Sequence, residues 1–199
     1  MSFQRGLEYI ETIEPTFDNA RAIQELTLQD VRVGRFSEPL KLADPANTEM
    51  VAIQQQKLRD HPERYSGYVK DGQLVAYIKQ NHWTIADELP FVSGRPAAAL
   101  RFTRALRLNP SFGQWGIFGL VASEDLPAGE RQGVLTSLLR STFTDPQTGK
   151  PRKVNVVIHD NDPLLSIAER YGFVKYGKKA PAAGAPGLDQ FRYQRLASH

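Results

Sequence analysis

Cysteine is absent from the 199 residues. That absence excludes disulfides, thiolate metal ligands and a cysteine nucleophile together, and it leaves the redox compartment unmarked. Histidine is scarce, at positions 61, 82, 159 and 199, and the four show no HxxxH spacing, so no metal is expected. Long apolar runs are also missing: no stretch approaches the ~18 residues a membrane span needs. The N-terminal segment MSFQRGLEYIETIEP has no apolar signal core, so a soluble, cytoplasmic protein is expected. Nor does one sign of charge dominate. The 25 Lys and Arg stand against 22 Asp and Glu, a net +3, and they are mixed along the chain, which falls short of a nucleic-acid footprint. Such a balance suits a phosphate-bearing small ligand.

What is present is enough for one core. With 41% hydrophobic residues over this length, a single domain covering residues 1–199 is expected. Tyr9 to Ile13 reads as a strand. Asp18 offers an N-cap for a helix from Asn19 to Leu28, with Ala22, Ile23 and Leu26 on one face. Asp44-Pro45 signals a second helix, with Met50, Val51, Ile53, Lys57 and Leu58 at helical spacing, ended by His61-Pro62. Tyr65 to Val69 and Gln73 to Lys79 flank Lys70-Asp71-Gly72, the pattern of a tight hairpin. Leu74, Ala76 and Ile78 alternate with Val75, Tyr77 and Lys79, so both faces of the second strand are apolar and it is expected inside the sheet.

Arg95 to Leu108 has helical spacing and carries arginines at 95, 101, 104 and 107. They form a solvated face or meet an anionic partner. Gln114 to Ala122 is an apolar strand with Gly116 and Gly119, and glycine in a strand often marks a bulge. A helix follows with Val134, Leu135, Leu138, Leu139 and Phe143 on one side, stopped at Thr144-Asp145-Pro146. Val154 to His159 is a buried-type strand, and Leu164 to Arg170 a short helix capped at Gly172. Phe173 to Tyr176 and Gln190 to Leu196 read as strands around the Gly-, Ala- and Pro-rich loop GKKAPAAGAPGLD, for which mobility is expected.

The stretch Gly129-Glu130-Arg131-Gln132-Gly133 meets the helix of Val134 as a glycine-flanked turn. A helix start exposes unpaired N–H groups and the positive end of its dipole, and glycine lets an anion approach closely. An ordinary helix cap and a phosphate cradle are both open on these residues. A nucleoside-triphosphate loop of the GxxxxGK[ST] type and a GxGxxG dinucleotide fingerprint are absent.

The element order, together with the run Asn161-Asp162-Pro163-Leu164-Leu165-Ser166-Ile167-Ala168-Glu169-Arg170-Tyr171-Gly172-Phe173, resembles the GNAT superfamily of N-acetyltransferases over essentially the whole chain. The stretch around Gly133 is similar to that family's pyrophosphate signature, with Glu130 where Gln or Arg is usual and Leu135 where a small residue is usual. The resemblance implies an α/β fold: a mixed, mostly antiparallel central sheet, helices on both faces, and a splayed central strand pair with the glycines of the first strand at a bulge. It implies acetyl-CoA as cosubstrate and transfer of its acyl group directly to an amine of a small molecule or peptide. Coenzyme contacts would come from backbone near Leu120 and Val121, the N–H groups of Arg131, Gln132, Gly133, Val134 and Leu135, the Thr136 hydroxyl, and Asn161. Candidate bases at the strand ends are Glu124, His159 and Asp160. The family's usual acid, a tyrosine, is replaced by Ala168; Tyr171 lies about 60° round the helix and is the alternative. His82 and Trp83 are candidates for the acceptor pocket. The alternatives are a non-catalytic acyl-CoA-sensing domain of the same fold and a nucleic-acid adaptor using the arginine helix. A homodimer is possible on the resemblance.

Overall fold

Asp71 and Gly72 both take positive φ, 52° and 80°, the geometry of a two-residue type I′ turn whose twist matches the flanking strands. This turn joins β2 (Tyr65–Lys70) to β3 (Gln73–Thr84) in the computed structural model, which describes residues 6–32, 43–84, 111–159, 162, 164–178 and 190–195. Before them come β1 (Leu7–Ile10), α1 (Phe17–Arg32) and α2 (Thr48–Asp60). After them come β4 (Ser111–Ala122), α3 (Ala128–Ser141), β5 (Val154–His159), α4 (Leu164–Arg170), β6 (Val174–Lys178) and β7 (Gln190–Arg195). The expected arginine helix and most of the Gly-Ala-Pro loop lie outside the described residues.

The strands form one seven-stranded sheet in the order β1-β2-β3-β4-β5-β7-β6. The β1–β2, β2–β3, β5–β7 and β6–β7 ladders are antiparallel, whereas β4 and β5 run parallel. The sheet is therefore mixed and mostly antiparallel, as expected. The chain divides into two compact units, Met1–Lys79 with Gly119–Ser141 and Gln80–Phe118 with Thr142–His199. β3 and β4 each run from one unit into the other.

In the first unit Val75 has no partner in the β2–β3 register, where Val69 faces Leu74 and Tyr68 faces Ala76. That bulge breaks the simple alternation read from Leu74, Ala76 and Ile78. An extra residue flips everything beyond it to the other face, so Leu74 joins Tyr77 in the core with Ile13, Ile23, Leu26, Val51, Leu58 and Tyr65. Tyr77 meets the Thr27 hydroxyl of α1 at 2.7 Å. Neighbouring Tyr68 points the opposite way and meets Ser137 of α3 at 2.8 Å. Helices thus cover both faces of the sheet in this unit.

Three helix readings shift. The N-terminus of α1 is capped by Thr16, whose hydroxyl accepts from Asn19 N–H at 3.1 Å, ahead of the expected Asp18. α2 is capped by Asn47, accepting from Met50 N–H, because Asp44 spends its carboxylate on Ala46 N–H in the preceding turn. The buried positions of α2 are Val51, Gln54 and Leu58; Val51 and Leu58 are among the expected positions, Gln54 is not, and the expected Ile53 is 41% exposed.

The largest change is in α3. The stretch read as a turn is helical from Ala128, and the N–H of Arg131 already donates to Pro127 O at 2.9 Å. Proline immediately ahead of a helix has no amide to lose and a preset φ. Burial of Val134, Leu138 and Leu139 outweighs the roughly 1 kcal/mol that the interior Gly133 costs the helix.

Candidate functional site

β4 delivers the chain to α3 through a short ordered link in the first unit. Ser123 N–H donates to the bulged Val75 O at 2.8 Å, and its hydroxyl accepts from Asp125 N–H at 3.2 Å. Glu124 N–H donates to Gln29 Oε1 of α1 at 3.3 Å. The loop is tied to β3 on one side and α1 on the other. A polar cavity of about 340 Å³, lined among others by Glu25, Gln29, Lys70, Asp71, Ser123 and Asp125, adjoins it.

The helix start at Ala128 relocates the expected amide donors. Arg131 N–H is spent on Pro127 O, and Gln132, Gly133, Val134 and Leu135 lie inside α3, where amides bond the preceding turn. The amides without an intrahelical acceptor are those of Ala128, Gly129 and Glu130. Val134 is also turned inward, only 3% exposed.

Gly129 and Gly133 are four residues apart, hence on one face, and both are exposed. A Cβ built on either would meet nothing within 4 Å, and neither has positive φ. Packing and backbone conformation give no reason for glycine at either place. By contrast Gly116 is demanded by packing, since a Cβ there would lie 2.6 Å from the Trp83 ring and 2.7 Å from Phe118. At Gly119 a Cβ would press on the Tyr77 ring at 3.3 Å. Gly116 belongs to the regular three-pair β4–β5 register, Trp115↔Val154 to Ile117↔Val156, so no bulge marks it there.

The remaining candidates fall as follows. Leu120 and Val121 are buried on β4, 8% and 1% exposed. Glu124 is exposed just past β4, with its carboxylate 3.9 Å from Arg131 Nη2. Thr136 is half-buried in α3. His159, in the second unit, is the last residue of β5 and pairs with Gln190; Asp160 and Asn161 lie outside the described residues. Ala168 is fully buried in α4 and its carbonyl accepts from Tyr171 and Phe173 N–H. Tyr171 packs its ring 6.0 Å from Phe143, and its carbonyl accepts from Arg195 Nε at 3.1 Å. Trp83 is 1% exposed and stacks on Phe118, whereas His82 is exposed and lies 4.5 Å from Trp115. The structure thus joins Glu124, Arg131 and the first turn of α3 in one unit, and it places His159 and Tyr171 in the other.

Sequence reasoning missed two partners. Glu130 accepts from Lys70 Nζ at 2.9 Å, the two side chains 20% and 30% exposed, and Gln29 holds the Glu124 amide. Sequence separations of 60 and 95 leave no local signal for either. A readable cue did exist for the start of α3, namely Pro127. No metal-holding group of three His, Asp or Glu exists among the described residues, and no helix there is long and apolar enough to cross a membrane.

By sequence the chain matches no protein-family model and no curated protein. Solved structures do match it. The NatC complex bound to Gag peptide and CoA aligns with a TM-score of 0.62 at 13% identity, covering 98% of this chain and 99% of that one. The ribosomal-protein-S5-alanine acetyltransferase of Vibrio fischeri gives 0.62 at 11%, covering 99% and 96%. A GNAT-family acetyltransferase of Streptococcus agalactiae gives 0.60 at 14%, covering 99% of each chain. With seven mixed strands and matches that span both chains almost end to end, this protein has the fold of the GNAT superfamily.

Proposed function

We propose that the protein is an N-acetyltransferase that uses acetyl-CoA, with the coenzyme diphosphate on the first turn of α3. The observation that carries this reading is the pair Gly129 and Gly133, exposed glycines on one helix face that the fold itself does not require. Gly133, inside the helix, costs it about 1 kcal/mol, and close approach of a ligand to the backbone offsets that cost. The Ala128, Gly129 and Glu130 amides supply donors at the positive end of the helix dipole, and the Thr136 hydroxyl adds another further along. From there the pantetheine arm runs along β4 past Val121 and Leu120.

Transfer is direct. The amine nitrogen bonds to the thioester carbonyl carbon, the C–S bond breaks, the amine proton passes to a base and the departing thiolate is protonated. Glu124, His159 and Asp160 are the candidate bases, with Tyr171 as the candidate acid. Peptide amines are acceptors to try first, since one similar structure holds a peptide and another is named for a ribosomal protein. The test is thiol release from acetyl-CoA across small and peptide amines, for the native chain and for Glu124→Gln, His159→Gln, Asp160→Asn and Tyr171→Phe. Loss of kcat of about a hundredfold with unchanged coenzyme affinity identifies the base among Glu124, His159 and Asp160, and the same loss in Tyr171→Phe identifies the acid. The buried Ala168 at the usual acid position favours a second reading, an acyl-CoA sensor. Coenzyme binding with no thiol release from any amine selects it.

A further inference from the structure

We propose that Lys70 is a positioning residue for the coenzyme diphosphate, acting through Glu130; this rests on the reading that α3 takes the diphosphate. Glu130 is the third residue of α3. A carboxylate there suits the helix dipole, yet the same charge opposes a phosphate arriving at the same amides. Lys70 resolves the conflict, because its ammonium holds the Glu130 carboxylate at 2.9 Å on the sheet side of the helix. The negative charge is balanced before any ligand arrives.

The pair also fixes how the helix is turned. Tyr68 and Lys70 are two apart on β2 and share its face, while Glu130 and Ser137 are seven apart on α3 and share its sheet-facing side. The Tyr68 to Ser137 bond at 2.8 Å and the Lys70 to Glu130 bond at 2.9 Å therefore grip the helix at two points two turns apart. That grip sets its rotation about its own axis, with Gly129 and Gly133 left exposed. Lys70 is itself held firmly, since it ends β2 at the type I′ turn of Asp71 and Gly72. Removing its charge leaves an unbalanced carboxylate beside the negatively charged diphosphate of the ligand, a repulsion that salt screens.

The test is calorimetric titration of CoA into the native protein, Lys70→Met, Glu130→Gln and the double variant, at about 0.05 and 0.5 M salt, with melting temperatures recorded for each. Lys70→Met is expected to weaken CoA binding roughly tenfold at low salt and less at high salt. Glu130→Gln, which frees the lysine, is expected to tighten it several-fold. The double variant returns to within about twofold of the native protein, a rescue that a purely structural lysine would not show. Native binding with unchanged affinity in Lys70→Met, or a double variant as weak as Lys70→Met, overturns the proposal. Absence of CoA binding by the native, folded protein overturns the α3 reading beneath it. Should Lys70→Met fail to fold, Glu130→Gln alone decides, and equal or weaker CoA binding there counts against it.

Discussion

Asp145 is held below the usual carboxylate range, first by the Thr148 amide and then, against the opposing effect of burial, by Arg152 and the Gln147 amide. Its carboxylate accepts from both amides at 2.9 to 3.0 Å and from Arg152 at 3.1 Å. The Arg152 guanidinium in turn lies 3.8 Å over the Trp115 ring. A lowered folded-state pKa stabilises the fold above the ordinary aspartate value near 4, and that contribution is lost as pH falls through the lower folded value. Asp145→Asn is therefore expected to melt below the native protein at pH 7, with the gap closing as pH drops below about 4. Thermal scans across that range check it. At this scale the sequence was legible where a residue acts on near neighbours: Gly72 and Gly172 take positive φ as read. Lys70 and Gln29 were invisible because their partners are remote in the chain, and no periodicity reports such a contact.

Among elements, α3 is where local rules and packing disagree. Two glycines and a charged run suggest a turn; proline ahead and a buried Val-Leu face make it helix instead. Gly133→Ala tests the division of labour. With open space around the added methyl, it is expected to stabilise the protein by about 0.5–1 kcal/mol, measured by urea unfolding, while weakening acetyl-CoA binding by about tenfold or more. Unchanged coenzyme affinity would remove the reason offered for the glycine. Strands β5 and helix α4 fell on their expected bounds because short apolar runs between strong breakers leave little freedom. The edges of α1 and α2 moved by several residues because Thr16, Asp18, Asp44 and Asn47 are all chemically able to cap, and tertiary fit chooses among them.

For the molecule as a whole, the order of elements was readable and the mixed, mostly antiparallel character of the sheet followed from the family resemblance, whereas the strand order itself came from the structure. The bulge at Val75 and the placement of Glu124 beside Arg131 depend on contacts no local pattern encodes. Ligand binding to the folded chain alone raises its stability, by about 2.7 kcal/mol at a hundred times Kd. Acetyl-CoA is thus expected to raise the melting temperature by several degrees, whereas adenosine leaves it unchanged. A scan in which both ligands act alike would detach the diphosphate from the account.

The unpaired Val75 has a reach beyond its own strand. Its carbonyl is the acceptor for the first amide after β4, so the exit of one strand hangs on an irregularity in another. A one-residue deletion in the hairpin would heal the ladder and at the same time unhook the segment leading into α3. Length changes in this hairpin are therefore a handle on the helix entrance, applied from β3 rather than from α3 itself.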